Sequence, residues 1–486
     1  MGNRRTLLFY ASFLFFMLGA LSLYFCFEEE ILSVNISAAL ATFIWISGVT
    51  VIALRTENGL FSLPVGYLLL LGVFHFGMII PMLMGIRVDI SSPWPFSPSL
   101  SKSLSLCGTG FAFYSISALF YTYTTGSTRH SVMQRHLSDR ISSISLRYLF
   151  IGGLILGAVG VLFLSVGVWS LNLFQVTYGE SFMLRMDNDP RLFGTGYLFL
   201  LMGMVIAGSA ASRRQIKWIA MISVLVFAPL FLYGFRGQII VYFMALLSMW
   251  YRKDQRLARK IGYVALIAIV LLAPTVKVLR DSRDMTFAYA VNNINILDFV
   301  TEAGGSLGPL VETVNQIDYY NNPYWYGASY WTGLTRIIPN LNPDWTRANS
   351  LNTVAPSAWI TERVDPYAFA RGGGMGSSGI AEPFLNFGPF GVVLFFGLAG
   401  YLLMKYEHAS RVNPYHFAVL MCAYASLLWT CRNDFTEFFR PTIWAVVFVT
   451  GISFLVKLKL AMTSVNTNRA NRTQTILRSG MENTCT

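Results

Sequence analysis

Charged residues are scarce in this sequence: Asp, Glu, Lys and Arg make up 12% of its 486 residues, about half the share found in ordinary soluble domains. Hydrophobic residues make up 54%, which is more than a single soluble core can hide from water. Apolar windows of about 20 residues recur along the chain, the length that a helix needs to cross a bilayer. The composition therefore excludes a soluble protein and predicts an all-α, polytopic membrane protein.

Cysteine and histidine are also rare, with five residues of each. No cysteines have the spacing of a metal site, so the sequence predicts no bound metal and no cofactor. The net charge is +12, but the basic residues lie at the ends of apolar segments and in loops, where topology and anionic headgroups account for most of them. We therefore expect contacts with membrane lipids and none with nucleic acid.

The apolar windows predict about twelve transmembrane helices. If the N-terminus is cytoplasmic, most basic residues of the short loops lie on the cytoplasmic side, as the positive-inside rule requires, and both termini are cytoplasmic. The predicted spans are residues 7–27, 31–54, 60–84, 104–125, 147–169, 192–211, 216–234, 237–250, 261–278, 379–404, 415–431 and 441–459.

This topology divides the chain into four regions. Residues 1–278 carry the first nine spans, with an interfacial segment near 170–191, and residues 379–459 carry the last three. Between them, residues 279–378 form a large outer loop, and a loop of that length is uncommon unless it is functional. The tail, residues 460–486, is rich in Asn, Thr and Arg and is predicted to be disordered.

Arginine is frequent on the predicted outer face, where topology disfavours positive charge. Its guanidinium group binds phosphate oxygens through paired, charge-assisted hydrogen bonds, so this set of residues indicates an anion site. Arg236 lies in a tight connection between two spans, flanked by Gly234 and Gly237, where an unpaired charge is costly. Anchoring at lipid headgroups or pairing with nearby Asp and Glu side chains would explain the same arginines without a site.

A glycine- and serine-rich run, residues 371–379, leads directly into the tenth predicted span. Such a helix start presents free backbone N–H groups and the positive end of the helix dipole, which together form an anion site. Glu382 falls in the first turns of this helix. No histidine lies in a predicted outer loop, since His75 falls within the third span, so acid–base chemistry on that face would depend on carboxylates.

The segment from Gly374 to Gly391 contains the pattern I–A–E–x–x–x–N–F–G–x–x–G after a run of Gly and Ser. It resembles a block of the bacterial oligosaccharide repeat-unit polymerases, the Wzy-type O-antigen polymerases. The Phe235-Arg236-Gly237 turn and an arginine-bearing last outer turn recur in that family at similar places in the order of spans. The number of spans and the single large periplasmic loop match as well.

The resemblance implies a GT-C-like glycosyltransferase of the bacterial inner membrane, with its active face in the periplasm. Such an enzyme polymerises lipid-linked oligosaccharide repeat units into O-antigen or a related surface polysaccharide. The growing glycan would pass from undecaprenyl pyrophosphate to the next lipid-linked repeat unit, without a metal ion. The family also implies a chain-length regulator of the Wzz type as a partner.

On this interpretation, Arg236 and Arg280 stabilise the charge that develops on the departing pyrophosphate, and Glu382 is a candidate base that would equally suit the orientation of an arginine. Packing within the loop and anchoring at the membrane interface would explain most of its aromatic residues without any role in sugar binding. The residues assigned to pyrophosphate are Arg236, Arg280, Arg283, Arg336, Arg371, Arg432 and Arg440, and those assigned to stacking on sugar rings are Trp325, Tyr326, Trp331 and Trp345.

Two other functions remain open from the residues alone. An O-antigen ligase would use the same chemistry with lipid A-core as the acceptor, but ligases typically rely on a histidine in the large loop, and this loop has none. A flippase for lipid-linked repeats would need charged or polar residues deep within its spans and pseudo-symmetric halves. Deleting the gene separates these functions, because a strain without a polymerase still attaches one repeat to its lipopolysaccharide, whereas a strain without a ligase or flippase attaches none.

Overall fold

A computed structural model describes residues 2–27, 33–85, 99–125, 135–170, 191–232, 236–267, 303–337, 355–370, 374–409 and 413–482. All regular elements in these ranges are helices or helical turns, and no strand occurs there. The prediction of an all-α protein is therefore confirmed for this part of the chain. Most of the predicted interfacial segment, 170–191, and of the ninth predicted span, 261–278, lie outside the described residues.

The helices differ in length from one turn to more than twelve turns. Residues 255–267 are helical in addition to the labelled elements. The labelled helices are α1 (Gly2–Phe25), α2 (Val34–Arg55), α3 (Leu63–Phe76), α4 (Ile79–Leu83), α5 (Ser99–Thr125), α6 (Arg135–Ser170), α7 (Arg191–Ala210), α8 (Arg213–Leu232), α9 (Arg236–Lys253), α10 (Leu307–Val314), α11 (Ala328–Thr335), α12 (Pro356–Val364), α13 (Pro366–Ala370), α14 (Ala381–Ala409), α15 (Pro414–Trp429) and α16 (Thr436–Glu482).

Eight helices in the described ranges are long and apolar enough to cross a membrane. The chain is therefore a multi-pass membrane protein, as its sequence predicts, and the total of twelve spans stays a prediction. The eight segments are Thr6–Phe25, Val34–Arg55, Ser99–Thr125, Ser143–Trp169, Leu192–Ala210, Arg213–Phe231, Ala381–His408 and Thr436–Met462.

The third predicted span, residues 60–84, is broken in the structure. Helix α3 ends at Phe76, and α4 begins after Gly77 and Met78. The large loop returns to this break, because a Cβ on Gly304 would lie only 2.3 Å from the backbone nitrogen of Met78. The C-terminal end of α3 is thus a contact point for the loop rather than the middle of a longer helix.

Helix α5 is the centre of the bundle, since 78% of its apolar window is buried, against 22% for α1. It packs against α1, α2 and α14. Small residues allow the helices to approach closely, as is common between membrane helices. A Cβ on Gly400 of α14, for example, would lie 2.2 Å from the Tyr114 carbonyl oxygen of α5.

Helices α3 and α14 are antiparallel, and a buried carboxylate ties one pair of their ends together. Glu407 accepts hydrogen bonds from Arg252 Nη2 (2.6 Å) and Asn58 Nδ2 (2.5 Å). It also accepts one from the Leu63 N–H at 2.9 Å. These contacts join the start of α3 to the ends of α9 and α14. The opposite ends of the three helices therefore lie at the other side of the bundle, which is the outer side in the predicted topology.

Helix α16 includes most of the polar end of the chain. It begins at Thr436 and extends to Glu482. No proline or glycine lies between Gly451 and Gly480 to stop the helix once it has started. The disorder expected of the tail stays a prediction.

Candidate functional site

The glycine-rich segment, residues 374–380, enters α14 through a serine cap. The Ser378 Oγ accepts hydrogen bonds from the N–H groups of Ile380 (3.1 Å) and Ala381 (3.2 Å). The Ser378 carbonyl accepts one from the Glu382 N–H at 3.2 Å. The first N–H groups of the helix are thus bonded within the chain, as at other serine caps. The prediction that this helix start offers free N–H groups to an anion is wrong.

The glycines of this segment allow it to pack against the turn that joins α15 to α16. Gly376 has a φ of +77°, and a Cβ there would lie 3.2 Å from the Arg432 carbonyl oxygen. A Cβ on Gly379 would lie 2.8 Å from the Thr430 carbonyl oxygen, which is too close for a side chain. The Ser377 N–H donates to the Arg432 carbonyl at 3.2 Å. The segment is thereby held against the turn that carries Arg432.

Glu382 lies fully buried at the start of α14. Its Oε1 accepts a hydrogen bond from the Ser329 hydroxyl (2.5 Å), and its Oε2 accepts one from the Phe435 N–H (2.6 Å). Asn386 Nδ2 completes the network by donating to the Ser329 Oγ (2.7 Å). The carboxylate therefore connects α11, α14 and the α15–α16 turn, with both oxygens in use.

A kink in α14 gives the large loop its anchor. Pro389 has no N–H to bond the carbonyl of Leu385 one turn earlier, so that carbonyl is left without a partner within the helix. The Trp325 N–H bonds it instead at 3.0 Å, and the Tyr326 N–H bonds the next carbonyl, that of Asn386, also at 3.0 Å. The loop backbone thus runs along the helix at the kink.

Tyr326 and Trp331, two of the predicted sugar-binding residues, project from this part of the loop. Their side chains are 77% and 67% exposed. Tyr326 has a φ of +47°, a left-handed conformation that is unfavourable for a bulky side chain and is often found at functional sites. Asn386 supports it, since its Oδ1 accepts the Gly327 N–H at 2.9 Å.

Trp325 behaves differently from these two residues. It is half-buried and packs edge-on against Trp359, with ring centroids 5.4 Å apart. Its neighbour in the loop, Tyr330, stacks on Phe387 at the kink. Burial and the nearby Glu382 carboxylate raise the pKa of Tyr330, so its phenol stays neutral. Trp325 therefore packs within the loop, and Tyr330 packs where the loop meets α14. Such packing was the alternative to sugar binding that the sequence left open.

Asp434 organises the α15–α16 turn. Its Oδ2 accepts hydrogen bonds from the N–H (3.2 Å) and the hydroxyl (2.5 Å) of Ser357 at the start of α12. Its Oδ1 accepts from the N–H and the hydroxyl of Thr436 at the start of α16. The side chain is 1% exposed, so Asp434 supports the turn and does not face a substrate.

Two predicted phosphate-binding arginines, Arg336 and Arg440, lie together beside this turn. The Arg440 Nε donates to the Arg336 carbonyl oxygen at 2.7 Å, and Arg336 Nη1 donates to the Thr436 Oγ1 at 3.5 Å. The exposed Glu437 interacts electrostatically with both arginines. Glu437 and the two arginines thus form one charged group beside the turn.

Arg432 lies on the same turn and faces α3 and α9. Its guanidinium carbon is 5.9 Å from the centre of the Phe74 ring. A Cβ on Gly237 would lie 3.8 Å from Arg432 Cδ and 3.0 Å from the Trp429 ring. The start of α9, where Arg236 is found, therefore adjoins Arg432.

The structure thus brings three of the predicted arginines, Arg336, Arg432 and Arg440, to one turn. The side chain of Arg236 lies outside the described residues. Among those residues, no group of three or more His, Cys, Asp or Glu side chains is placed to hold a metal ion. The other predicted site residues that lie outside the description are Arg280, Arg283, Arg371 and Trp345.

His75 is a residue of this region that the sequence analysis placed away from the outer face. It occupies the last turn of α3 and is fully buried. Its Nε2 lies 2.7 Å from the Ser378 Oγ, and its Nδ1 lies 2.7 Å from the Leu71 carbonyl oxygen. Gly77, directly after an apolar run, was the one signal in the sequence that could have placed the end of the helix here.

The described part of the chain is that of a polytopic membrane protein built from helices, with clustered arginines beside a buried carboxylate network. A family model described as O-antigen polysaccharide polymerase Wzy matches residues 7–463. The chain therefore belongs to the O-antigen polysaccharide polymerase Wzy family, as the resemblance predicted. No curated protein and no solved structure matches the chain.

Membership of this family establishes the general activity. Members are polysaccharide-polymerising enzymes that join lipid-linked repeat units, so the substrates are lipid-linked oligosaccharides. A multi-pass protein of this family is consistent with the bacterial inner membrane.

Proposed function

We propose that the chain transfers a growing glycan from undecaprenyl pyrophosphate to the next lipid-linked repeat unit at the periplasmic face of the inner membrane. The product is O-antigen or a related surface polysaccharide. The proposal includes a GT-C-like bundle of twelve spans with both termini in the cytoplasm, and a chain-length regulator of the Wzz type as a partner. The observation that carries it is the meeting of Arg336 and Arg440, 104 residues apart in sequence.

The position of these arginines suits the leaving group. In the transfer, the bond between the sugar C1 and the pyrophosphate oxygen breaks, a bond from C1 to the acceptor oxygen forms, and the acceptor proton is released to solvent. Negative charge develops on a pyrophosphate that is anchored in the membrane. Guanidinium groups held in advance near the ends of membrane helices stabilise that charge without a metal ion.

Arg432 extends the anion site toward α9 and α3. Because Gly237 lies against its side chain, the proposal keeps Arg236, the residue before Gly237, in this site. The remaining assigned arginines, Arg280, Arg283 and Arg371, stay in the proposal on the strength of the sequence alone.

In this proposal, Glu382 positions the α15–α16 turn and does not act as a base. Its carboxylate is buried, and both oxygens accept hydrogen bonds from the protein. A base must reach the proton that it removes. Glu382 instead holds the Phe435 backbone, and with it the turn that carries Arg432.

The exposed aromatic side chains of the large loop supply the sugar-facing surface. Tyr326 and Trp331 are both exposed and lie on the part of the loop that the α14 kink anchors. Flat aromatic faces stack on the apolar faces of sugar rings. Trp325 is better explained by its packing against Trp359.

The central test replaces Arg336 and Arg440 by alanine and by lysine in a strain that lacks this polymerase. We expect each alanine variant to lose long glycan chains, with polymerisation slowed by roughly 10²–10³-fold, as when other preorganised charge-stabilising groups are removed. Lysine keeps the charge but not the forked geometry, so partial recovery is expected. Arg363→Ala is the matched control, because this outer arginine lies over Trp359 on α12.

Protein level in the membrane is measured beside chain length. A double variant of Arg336 and Arg440 that keeps wild-type chain lengths at normal protein level would exclude the proposed pyrophosphate site. Arg236→Ala is tested in the same way, and wild-type chains from that variant would remove Arg236 from the site.

A further inference from the structure

His75 has a defined proton arrangement. The Leu71 carbonyl can only accept a hydrogen bond, so the Nδ1 that lies 2.7 Å from it carries the proton. In the neutral imidazole, the Nε2 is then an acceptor, and the partner at 2.7 Å, the Ser378 hydroxyl, must donate to it. The direction of both hydrogen bonds follows from the chemistry of these partners.

Ser378 is fully used by this arrangement. Its hydroxyl proton goes to His75, and its two lone pairs accept the N–H groups of Ile380 and Ala381. A hydroxyl has one donor and two acceptor positions, and all three are filled. The imidazole therefore determines the orientation of the hydroxyl that caps α14, across 303 residues of sequence.

The same histidine is linked to Arg432 through two neighbouring residues. The residue before it, Phe74, lies under the Arg432 guanidinium. The residue before its hydrogen-bond partner, Ser377, donates its N–H to the Arg432 carbonyl. His75 thus connects the end of α3, the start of α14 and the α15–α16 turn.

A buried imidazole in an apolar helix needs a reason, because polar groups are costly at membrane depth and are commonly functional there. Its side chain is 0% exposed, so it does not meet a substrate directly. The alternative is a histidine that merely satisfies its own hydrogen bonds in the core. The links to Arg432 favour a functional role. The two explanations differ in a measurable way, because only the functional role requires that turnover depend on His75.

We propose that His75 is a positioning residue for the transfer reaction, which sets Ser378 and, through the glycine-rich segment, the placement of Arg432. This inference rests on the proposed role of Arg432 in binding pyrophosphate. Loss of the imidazole acceptor frees the Ser378 hydroxyl, loosens the cap of α14 and moves the Arg432 turn away from the geometry that the transition state needs.

The test uses the full-length protein in lipid nanodiscs, with lipid-linked repeat units extracted from a strain that lacks the polymerase. His75→Leu removes the acceptor at similar size, and His75→Gln places an amide oxygen where Nε2 lies. We expect His75→Leu and Ser378→Ala each to lower kcat by about tenfold or more, with a smaller change in KM, which corresponds to ~1.4 kcal/mol in the barrier. His75→Gln should stay within about threefold of the wild type.

The double variant His75→Leu/Ser378→Ala should be no slower than the slower single variant, since both remove the same interaction. The control is His408→Leu, whose Nδ1 makes the same kind of bond, to the Met404 carbonyl at 2.9 Å, at the other end of α14. It should keep wild-type turnover.

Arg432→Ala separates failure of this inference from failure of the proposed function. If Arg432→Ala is slow while His75→Leu and Ser378→Ala turn over like the wild type, the positioning role is wrong. Additive losses in the double variant, or a His75→Gln variant as slow as His75→Leu, also overturn it. If Arg432→Ala itself keeps wild-type kcat, the proposed pyrophosphate site fails, and the inference that rests on it fails as well.

Discussion

Replacing Glu382 by glutamine separates the two roles that this buried carboxylate could have. Glutamine keeps the size of the side chain and one acceptor oxygen, but it cannot act as a base. If that oxygen accepts the Phe435 N–H, the new amide N–H group faces the Ser329 oxygen, which already accepts from Asn386. One hydrogen bond of the network is weakened or lost, and the connection between α14 and the α15–α16 turn survives.

The magnitudes follow from the number of donors left without a partner. Glu382→Gln should cost about 1 kcal/mol of stability, the net value of one hydrogen bond. Glu382→Ala leaves two buried donors, the Ser329 hydroxyl and the Phe435 N–H, unsatisfied at roughly 1–3 kcal/mol each. Alanine should therefore cost about 2–6 kcal/mol, before the cavity that it leaves is considered.

The assay compares melting temperature, protein level and chain-length distribution for the two variants. A positioning role predicts a graded result, with Glu382→Gln close to the wild type in all three and Glu382→Ala impaired in all three. Glu362→Gln is the control, because Glu362 is an exposed carboxylate on α12. A stable, abundant Glu382→Gln variant that makes no polymer would refute this reasoning and restore Glu382 as the base.

Three further predictions concern the rest of the site. Gly379→Ala should lose polymer and melt at a lower temperature, because its Cβ would lie 2.8 Å from the Thr430 carbonyl oxygen. The control Gly397→Ala, whose Cβ would meet open space among the described residues, should behave as the wild type. Equal behaviour of the two variants would contradict the close packing. Trp331→Ala should raise the KM for lipid-linked repeats roughly fivefold, the effect of about 1 kcal/mol of lost stacking, and an unchanged KM would remove it from the sugar surface. Adding EDTA to the purified enzyme should leave its rate unchanged if arginines alone stabilise the leaving group, and a rate restored only by a divalent cation would show otherwise.

The sequence determined the helices and the family because both depend on local information. An apolar stretch long enough to cross a bilayer needs no distant partner to form a helix, since its backbone bonds within itself. The three arginines Arg336, Arg432 and Arg440 were also recognised, because topology leaves few reasons for positive charge on the predicted outer face. Their assignment to pyrophosphate stays a prediction.

Local pattern was misleading where a single side chain competes for the backbone. The glycine-rich segment predicted an open helix start, but the Ser378 hydroxyl fills it. That outcome depends on the hydrogen bonds of one side chain, which the glycine and serine content of the segment does not specify.

Only the tertiary structure decided which residues meet. Pro389 marks a kink in the sequence, but the packing of the loop selects Trp325 as the donor that repairs it. His75 approaches Ser378 because α3 and α14 run antiparallel, with Glu407 tying their other ends. Contacts between residues that are hundreds of positions apart depend on which helices pack against each other. The helical period within one segment does not specify its partner helix.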